Sequence, residues 1–281
     1  MPESTANSFF EQIRGMMPKE VNVEPVADFT EFDRIQCEWY NEKQGNLTGY
    51  DCPKCKNRGN FQVLDGDGNK VMRDCDCMAA RRFIIAMNEA GLGDLYEKCN
   101  FEDYKVTEQW QALDLKLSKE YAAKDGNPWL IFSGNPGTGK TMLCTAICKE
   151  LAKRGRDIKF VSWVTLEAKL IQTKFKLNEQ EEIMRSIGNA DVLYIDDFLK
   201  IPDEAKRAGR KPSADSLLYA FMIVDKRYQS GRRTIFSSEW MIDQIVGMDE
   251  ALGSRIRQMT NGSKIMNKYE SGRNYRMRGD S

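Results

Sequence analysis

Between Trp129 and Thr141 the chain reads WLIFSGNPGTGKT, a short apolar run that breaks into glycines and ends on a lysine and a threonine. The stretch fits G-x-x-x-x-G-K-[ST] at every fixed position, through Gly134, Asn135, Pro136, Gly137, Thr138, Gly139, Lys140 and Thr141. These residue types answer to phosphate chemistry. Gly134, Gly137 and Gly139 let successive backbone N–H groups converge on phosphate oxygens, and the helix that follows adds its positive end. Lys140 then reaches the β- and γ-phosphates, and the Thr141 hydroxyl can bind Mg²⁺. Further on, Ala190 to Phe198 reads ADVLYIDDF, an apolar run closed by two acids. If the run is a buried strand, its carboxylates stand at the carboxyl edge of the sheet, facing the phosphate loop. Asp196 is expected to hold Mg²⁺ through water, and Asp197 to polarise an attacking water. Thr234 to Ser238, TIFSS, ends another strand in small polar side chains, and Ser238 there can sense a γ-phosphate. The cofactors expected are ATP or ADP with Mg²⁺.

A second cluster is made of sulfur. Cys52 and Cys55 form CPKC, and Cys75 and Cys77 form CDC. Between the pairs, Phe61–Leu64 and Lys70–Met72 flank DGDGN, the pattern of a hairpin that returns the second pair beside the first. Thiolates so gathered suit a closed, structural Zn²⁺ site. The second pair departs from C-x₂-C, which leaves Cys37 or Cys99 open as a substitute ligand. There is no histidine, so any zinc site must be built from sulfur or carboxylate. Neither pair lies in the βαβ setting of a redox dithiol. Cys144 and Cys148, spaced i, i+4, read as small core residues.

Composition narrows the classes. With 42 basic against 42 acidic residues the formal charge is zero, which excludes a uniformly basic protein that coats nucleic acid. An apolar share of 41% with 30% charged residues describes a soluble chain with a real core. No apolar run approaches the roughly 18 to 20 residues of a membrane span. Met1 to Met17 lacks a basic region followed by an apolar one, so no secretory signal is expected, and clustered cysteines fit a reducing cytoplasm.

The elements that position these groups follow from periodicity. Residues 1–49 are expected to be a helical N-terminal segment that docks a partner. Its first helix starts at Ser8 with Glu11 as a capping box and carries Phe9, Phe10, Ile13 and Met17. Its second carries Phe32, Ile35 and Trp39. Residues 50–80 form the zinc-binding module. Residues 81–126 are a helical linker, with helices from Met78 to Ala90 and from Thr107 to Ala123, the latter with Trp110, Leu113, Leu117 and Tyr121 on one stripe. Residues 127–281 alternate strand and helix, the signature of a mostly parallel, three-layer α/β sheet. Lys140–Arg154, Leu166–Phe175 and Leu217–Tyr228 are its helices. Lys200–Pro212 reads as a charged loop and Ser263–Arg278 as a basic tail.

In this order the cysteine knuckle, GNPGTGKT, VLYIDDF, RRTIFSSEW, ALGSRI and a terminal NYR resemble the DnaC/DnaI group of bacterial and phage replicative-helicase loaders. The resemblance implies a P-loop AAA+ ATPase domain without a full helical lid, which uses ATP as a switch. It further implies an N-terminal region that grips the hexameric DnaB-type helicase, an ATPase domain that binds single-stranded DNA, and self-association through that domain. Carried onto this sequence, Lys140 and Thr141 are the Walker A pair, Asp196 and Asp197 the Walker B pair, and Ser238 falls near sensor 1. Arg255 in GSRI matches the arginine offered to a neighbouring subunit, with Arg257 as the other candidate, and Arg276 stands where a nucleotide-contacting arginine would be. Lys169 and Lys174 fall where such loaders line the DNA path. Asp197 replaces the Glu common in AAA+ enzymes, and Glu239 stands where many relatives have Asn. Turnover is therefore expected to be slow and stimulated by assembly or DNA. The competing readings are an IstB-like helper of a transposase, a P-loop small-molecule kinase, and a zinc-containing adaptor with little turnover.

Overall fold

The computed structural model describes residues 29–267 apart from 127 and 262, together with residue 274. The helix expected at Ser8–Met17 lies outside the described residues.

Helix α1 (Phe29–Glu42) leads into a two-stranded antiparallel sheet, β1 (Asn60–Leu64) and β2 (Lys70–Asp74), paired in the register Asn60↔Asp74 to Leu64↔Lys70. The hairpin turns where the Asp65 carboxylate accepts the N–H groups of Asp67 and Asn69, both at 2.9 Å. Helix α1 is stitched onto β1: Asn41 and Gln62 exchange side-chain and backbone bonds of 2.8 and 2.9 Å, and Tyr40 donates to Asn60. Helix α2 (Cys77–Glu89) begins on the last cysteine of the cluster and runs unbroken through residue 80. Its inner face, Ala80, Phe83 and Met87, is buried in the core of the larger unit. The cysteine module is thus continuous with that unit through a helix.

A short α3 (Gly93–Lys98) and then α4 (Gln109–Ala123) follow. Of the stripe expected on α4, Tyr121 is buried and Leu117 packs on the core, but Leu113 is 54% exposed, and Gln111, Asp114, Ser118 and Ala122 are buried instead. Gln111 is turned inward by its capping role, because its side-chain oxygen accepts from the N–H groups of Thr107 and Glu108.

The main sheet is five-stranded and parallel, in the order β4-β5-β6-β3-β7. Its strands are β3 (Leu130–Gly134), β4 (Ile158–Ser162), β5 (Val192–Asp196), β6 (Arg233–Ser238) and β7 (Lys264–Asn267). Residues alternate between two cores. Leu130, Phe132, Val192 and Tyr194 pack with α2 and with α5 (Lys140–Lys153) on one face. Ile131, Leu193, Ile195 and Phe236 pack on the other face with α6 (Trp163–Gln172), α7 (Leu177–Asn189) and α9 (Ala214–Ser230). Central strands buried on both sides read as continuous apolar runs, as β3 and β5 do. The expected charged loop contains one short helix, α8 (Asp203–Arg207), and the chain then adds α10 (Ile242–Met248) and α11 (Glu250–Met259). The tail opens with β7, which pairs with β3 and buries Ile265.

Candidate nucleotide site and thiol cluster

Strand β3 ends at Gly134 and α5 starts at Lys140, so the glycine-rich turn lies at the carboxyl edge of the sheet. Gly137 and Gly139 adopt φ of +75° and +84°, in the left-handed region where a side chain is strained. Gly139 is also in close quarters: a Cβ there would meet the Tyr104 ring at 2.7 Å. Tyr104 thus packs on the phosphate loop, and the Asn274 side chain lies against Gly137. Lys140 donates to the carbonyls of Gly134 (2.9 Å) and Asn135 (2.6 Å), which holds its ammonium inside the loop it would share with phosphate. Burial lowers its pKa to about 8, against the raising fields of Glu239 and Asp197.

The two motifs meet. Thr141 Oγ1 donates to Asp196 Oδ1 at 3.0 Å, uniting the two residues expected to hold Mg²⁺. The same carboxylate oxygen accepts from Tyr194 at 2.7 Å and from Ser237. The donor set is one hydroxyl and one carboxylate at the mouth of a phosphate cradle, which fits a hard cation with oxygen ligands. Asp197 follows with φ of +53°, its N–H bonded to Ser237 Oγ at 2.9 Å. Burial and the neighbouring Asp196 raise its pKa above the usual carboxylate range. Ser238, expected to face the γ-phosphate, instead donates to the Phe198 carbonyl at 2.8 Å and accepts from Trp240 N–H. The residue on the Walker B carboxylate is Ser237. Strand residues alternate sides, so a one-residue difference decides which serine faces the site, and the TIFSS pattern does not display that parity.

The other sequence candidates lie farther out. Arg255 is folded back on its own chain, 3.0 Å from Asp225 and stacked over Phe221 and Tyr228. Arg257 pairs with Asp243, and Arg276 lies outside the described residues. Lys169 is exposed on α6, whereas Lys174 is bonded to Asp215 at 2.8 Å. Between α6 and α7 the Phe175 ring is 92% exposed, with Ile171 and Leu177 also exposed. The helix expected over Leu166–Phe175 ends at Gln172, which leaves Phe175 in the turn beyond it.

Cys52, Cys55, Cys75 and Cys77 are all buried, with their sulfurs within 4.8 Å of one another. Among the described residues neither Cys37 nor Cys99 joins this group. The β1–β2 register brings the pairs together, and Gly59 N–H points at Cys55 Sγ at 3.3 Å. Burial raises the thiols of Cys75 and Cys77; Cys55, although burial opposes it, is drawn down to about 7 by the Gly59 N–H and the adjacent thiols. A buried set of four thiols fits tetrahedral Zn²⁺ held as thiolates. Arg81, one turn beyond Cys77, braces the set by donating to the carbonyls of Thr48 and Tyr50 and to Asn57.

The model of the bacterial DnaA ATPase domain matches residues 96–261, more than half of the chain, and the chain belongs to that family. Within it the chain is of the DnaC/DnaI type, an AAA+ fold preceded by a cysteine-rich region. It is 27% identical to the replicative helicase loader DnaC of Buchnera aphidicola (subsp. Schizaphis graminum) over 98% of both chains. It is 29% identical to the phage-like element PBSX protein XkdC of Bacillus subtilis, over 84% of this chain and 90% of that one. The crystal structure of the DnaC helicase loader superposes with a TM-score of 0.51 at 18% identity, covering 62% of this chain and 98% of that one, a likeness of fold. Among the described residues no helix is long and apolar enough to cross a membrane.

Proposed function

We propose that the chain is an ATP-dependent loader that binds a hexameric DnaB-type helicase and delivers it to single-stranded DNA at the initiation of replication. The observation that carries this reading is the likeness to DnaC along 98% of both chains, joined to a phosphate loop and Walker B strand that meet at Thr141 and Asp196. Lys140, with the backbone from Gly134 to Gly139, binds the triphosphate. Thr141 and Asp196 hold Mg²⁺, which offsets phosphate charge when bound. Asp197 orients water, with its backbone fixed by Ser237. Turnover is slow, because Asp197 has a short reach, and assembly stimulates it through Arg255. To serve a neighbouring subunit's nucleotide, Arg255 must leave Asp225, so self-association and hydrolysis are linked.

The exposed turn at Phe175 with Lys169 supplies the DNA contact: an aromatic face on which a base stacks, beside a cation for the backbone. Residues 1–49 with the zinc module at 50–80 form the helicase-docking region. The zinc is structural. The protein acts in the cytoplasm.

Co-purification with a purified hexameric helicase is the primary test, and a stable complex that releases helicase onto single-stranded DNA with ATP is the expected result. Absence of helicase capture, together with filaments on duplex DNA, would instead make the chain a transposase helper. Lys140→Ala should abolish nucleotide binding. Normal ATP binding by that variant overturns the site assignment, and ATP binding without turnover under any condition leaves only an adaptor.

A further inference from the structure

At the carboxyl tip of β6, Glu239 is a carboxylate buried to 5% exposure between two lysines, Lys200 and Lys206, the latter at 3.0 Å. Lys206 also lies 4.9 Å above the Trp240 ring. Glu239 is thus shared by two lysines, so that either can leave without stranding the buried carboxylate.

The place of Lys200 is fixed by the backbone. Lys200 stands three residues after Asp197, in a turn pinned to β6 by Phe198 N–H to Ser237 O at 2.8 Å and Trp240 Nε1 to Leu199 O at 2.8 Å. Asp197 and Leu199 both take left-handed φ, +53° and +61°, so the turn doubles back and keeps Lys200 at the same sheet edge as the Walker B acids. Glu239 follows directly on β6, the strand between β3, which leads into the phosphate loop, and β5, which ends in the Walker B acids. Lys200, paired with Glu239, therefore stands at the same carboxyl edge of the sheet as both the phosphate loop and the Walker B acids.

We propose that Lys200 is a second phosphate-binding cation of this site, held in store by Glu239 and passed to the terminal phosphate of a nucleoside triphosphate, so that it makes the site prefer triphosphate over diphosphate. The inference rests on the nucleotide-site reading above. When Lys200 turns to phosphate, Lys206 remains as the partner of Glu239, and the charge of the buried carboxylate stays matched. The same exchange releases one of the two ion pairs between Glu239 and the segment bearing α8, where Arg207, Arg210 and Lys211 are exposed. Nucleotide state is thereby passed to a basic surface.

The test is equilibrium binding of ATP and ADP to the full chain by a fluorescent-analogue displacement assay, with thermal melting as a check on folding. Lys200→Ala should weaken ATP about 10- to 100-fold, as expected for loss of a charged hydrogen bond, and ADP less than about twofold. Lys200→Arg should restore most of the preference. Glu239→Gln, which releases Lys200, should keep or tighten ATP binding and remove any difference in tryptic cleavage at Arg207 and Arg210 between the ATP and free states. Equal weakening of both nucleotides by Lys200→Ala, or no change in either, overturns the proposal. If Lys140→Ala also binds ATP normally, the fault lies in the nucleotide site itself; if only Lys200→Ala is silent, it lies in this inference alone.

Discussion

Replacing Phe175 by alanine separates a DNA-contacting ring from a packing ring. The side chain is 92% exposed in the turn between α6 and α7, so its removal opens no cavity and leaves no buried group without a partner. Surface changes of that kind shift stability by less than about 0.5 kcal/mol, which for a chain of this size moves the melting temperature by about 1–2 °C. A base stacked on an aromatic ring is worth about 1–3 kcal/mol when measured by alanine substitution. The expected loss in affinity for single-stranded DNA is therefore about 5- to 150-fold. The assay is fluorescence anisotropy of a labelled oligothymidine with ATP present, repeated at several salt concentrations. Phe175→Ala should weaken binding without changing the salt slope, and Phe175→Trp should keep it. Lys169→Ala should reduce the slope by about 0.7, the effect of one phosphate contact on a single strand. Lys174→Ala should do less, because Asp215 already occupies that ammonium. Unchanged affinity in Phe175→Ala, or a loss that comes with a large drop in melting temperature, refutes the reasoning.

Three further outcomes follow from the site. Because burial brings Lys140 down to about 8, its amine is charged below that pH and neutral above it in the free protein. ATP affinity should thus hold steady up to about pH 8 and then fall by at most about tenfold per pH unit, with a flatter profile in Lys140→Arg, whose charge does not titrate; a flat wild-type titration from pH 7 to 9.5 contradicts this. Purified protein should contain about one zinc per chain, and chelation should lower the melting temperature of the whole molecule, since α2 starts on Cys77 and buries Phe83 and Met87 in the ATPase core. Metal-free protein with an unaltered melt counts against a structural zinc. Finally, Ser237→Ala should slow turnover while ATP binding stays within a few-fold, whereas Ser238→Ala should mainly cost about 1–3 kcal/mol of stability by leaving the Phe198 carbonyl without its donor. The reverse pattern in steady-state turnover would reassign the serines.

The phosphate loop and the strand ending at Asp196 were legible in the sequence because both are local: glycine spacing sets the backbone of one, and an unbroken apolar run marks burial of the other. The thiol cluster was legible for a related reason, since a single hairpin between the pairs leaves few ways to arrange them. What sequence could not display depends on partners distant in the chain. Ser237 and Ser238 are equivalent in composition, and only pairing of β6 with β5 and β3 decides which one meets Asp196. Strand β7 buries Ile265 and exposes Lys264 and Met266, too short and too polar a signal to stand out from a basic tail. Helix α7 is a different case, since its pattern was displayed: Ile183, Met184 and Ile187 recur at helical spacing on the inner side, with Glu179, Glu181 and Glu182 exposed. The Lys200–Glu239–Lys206 trio joins residues 39 and 33 positions apart, which no window along the chain can see.

The continuity of α2 bears on how this molecule could be rebuilt. A chimera that exchanged the cysteine module with that of a relative at residue 80 would cut a helix whose Ala79, Ala80, Phe83 and Met87 are all buried. The donor's graft would then meet a surface shaped for different side chains. A workable crossover must carry the helix through Glu89 together with the module, so the unit of exchange is a metal knuckle plus the rod that seats it, and substitutions on that rod have to vary in step with the face of α5 that receives it.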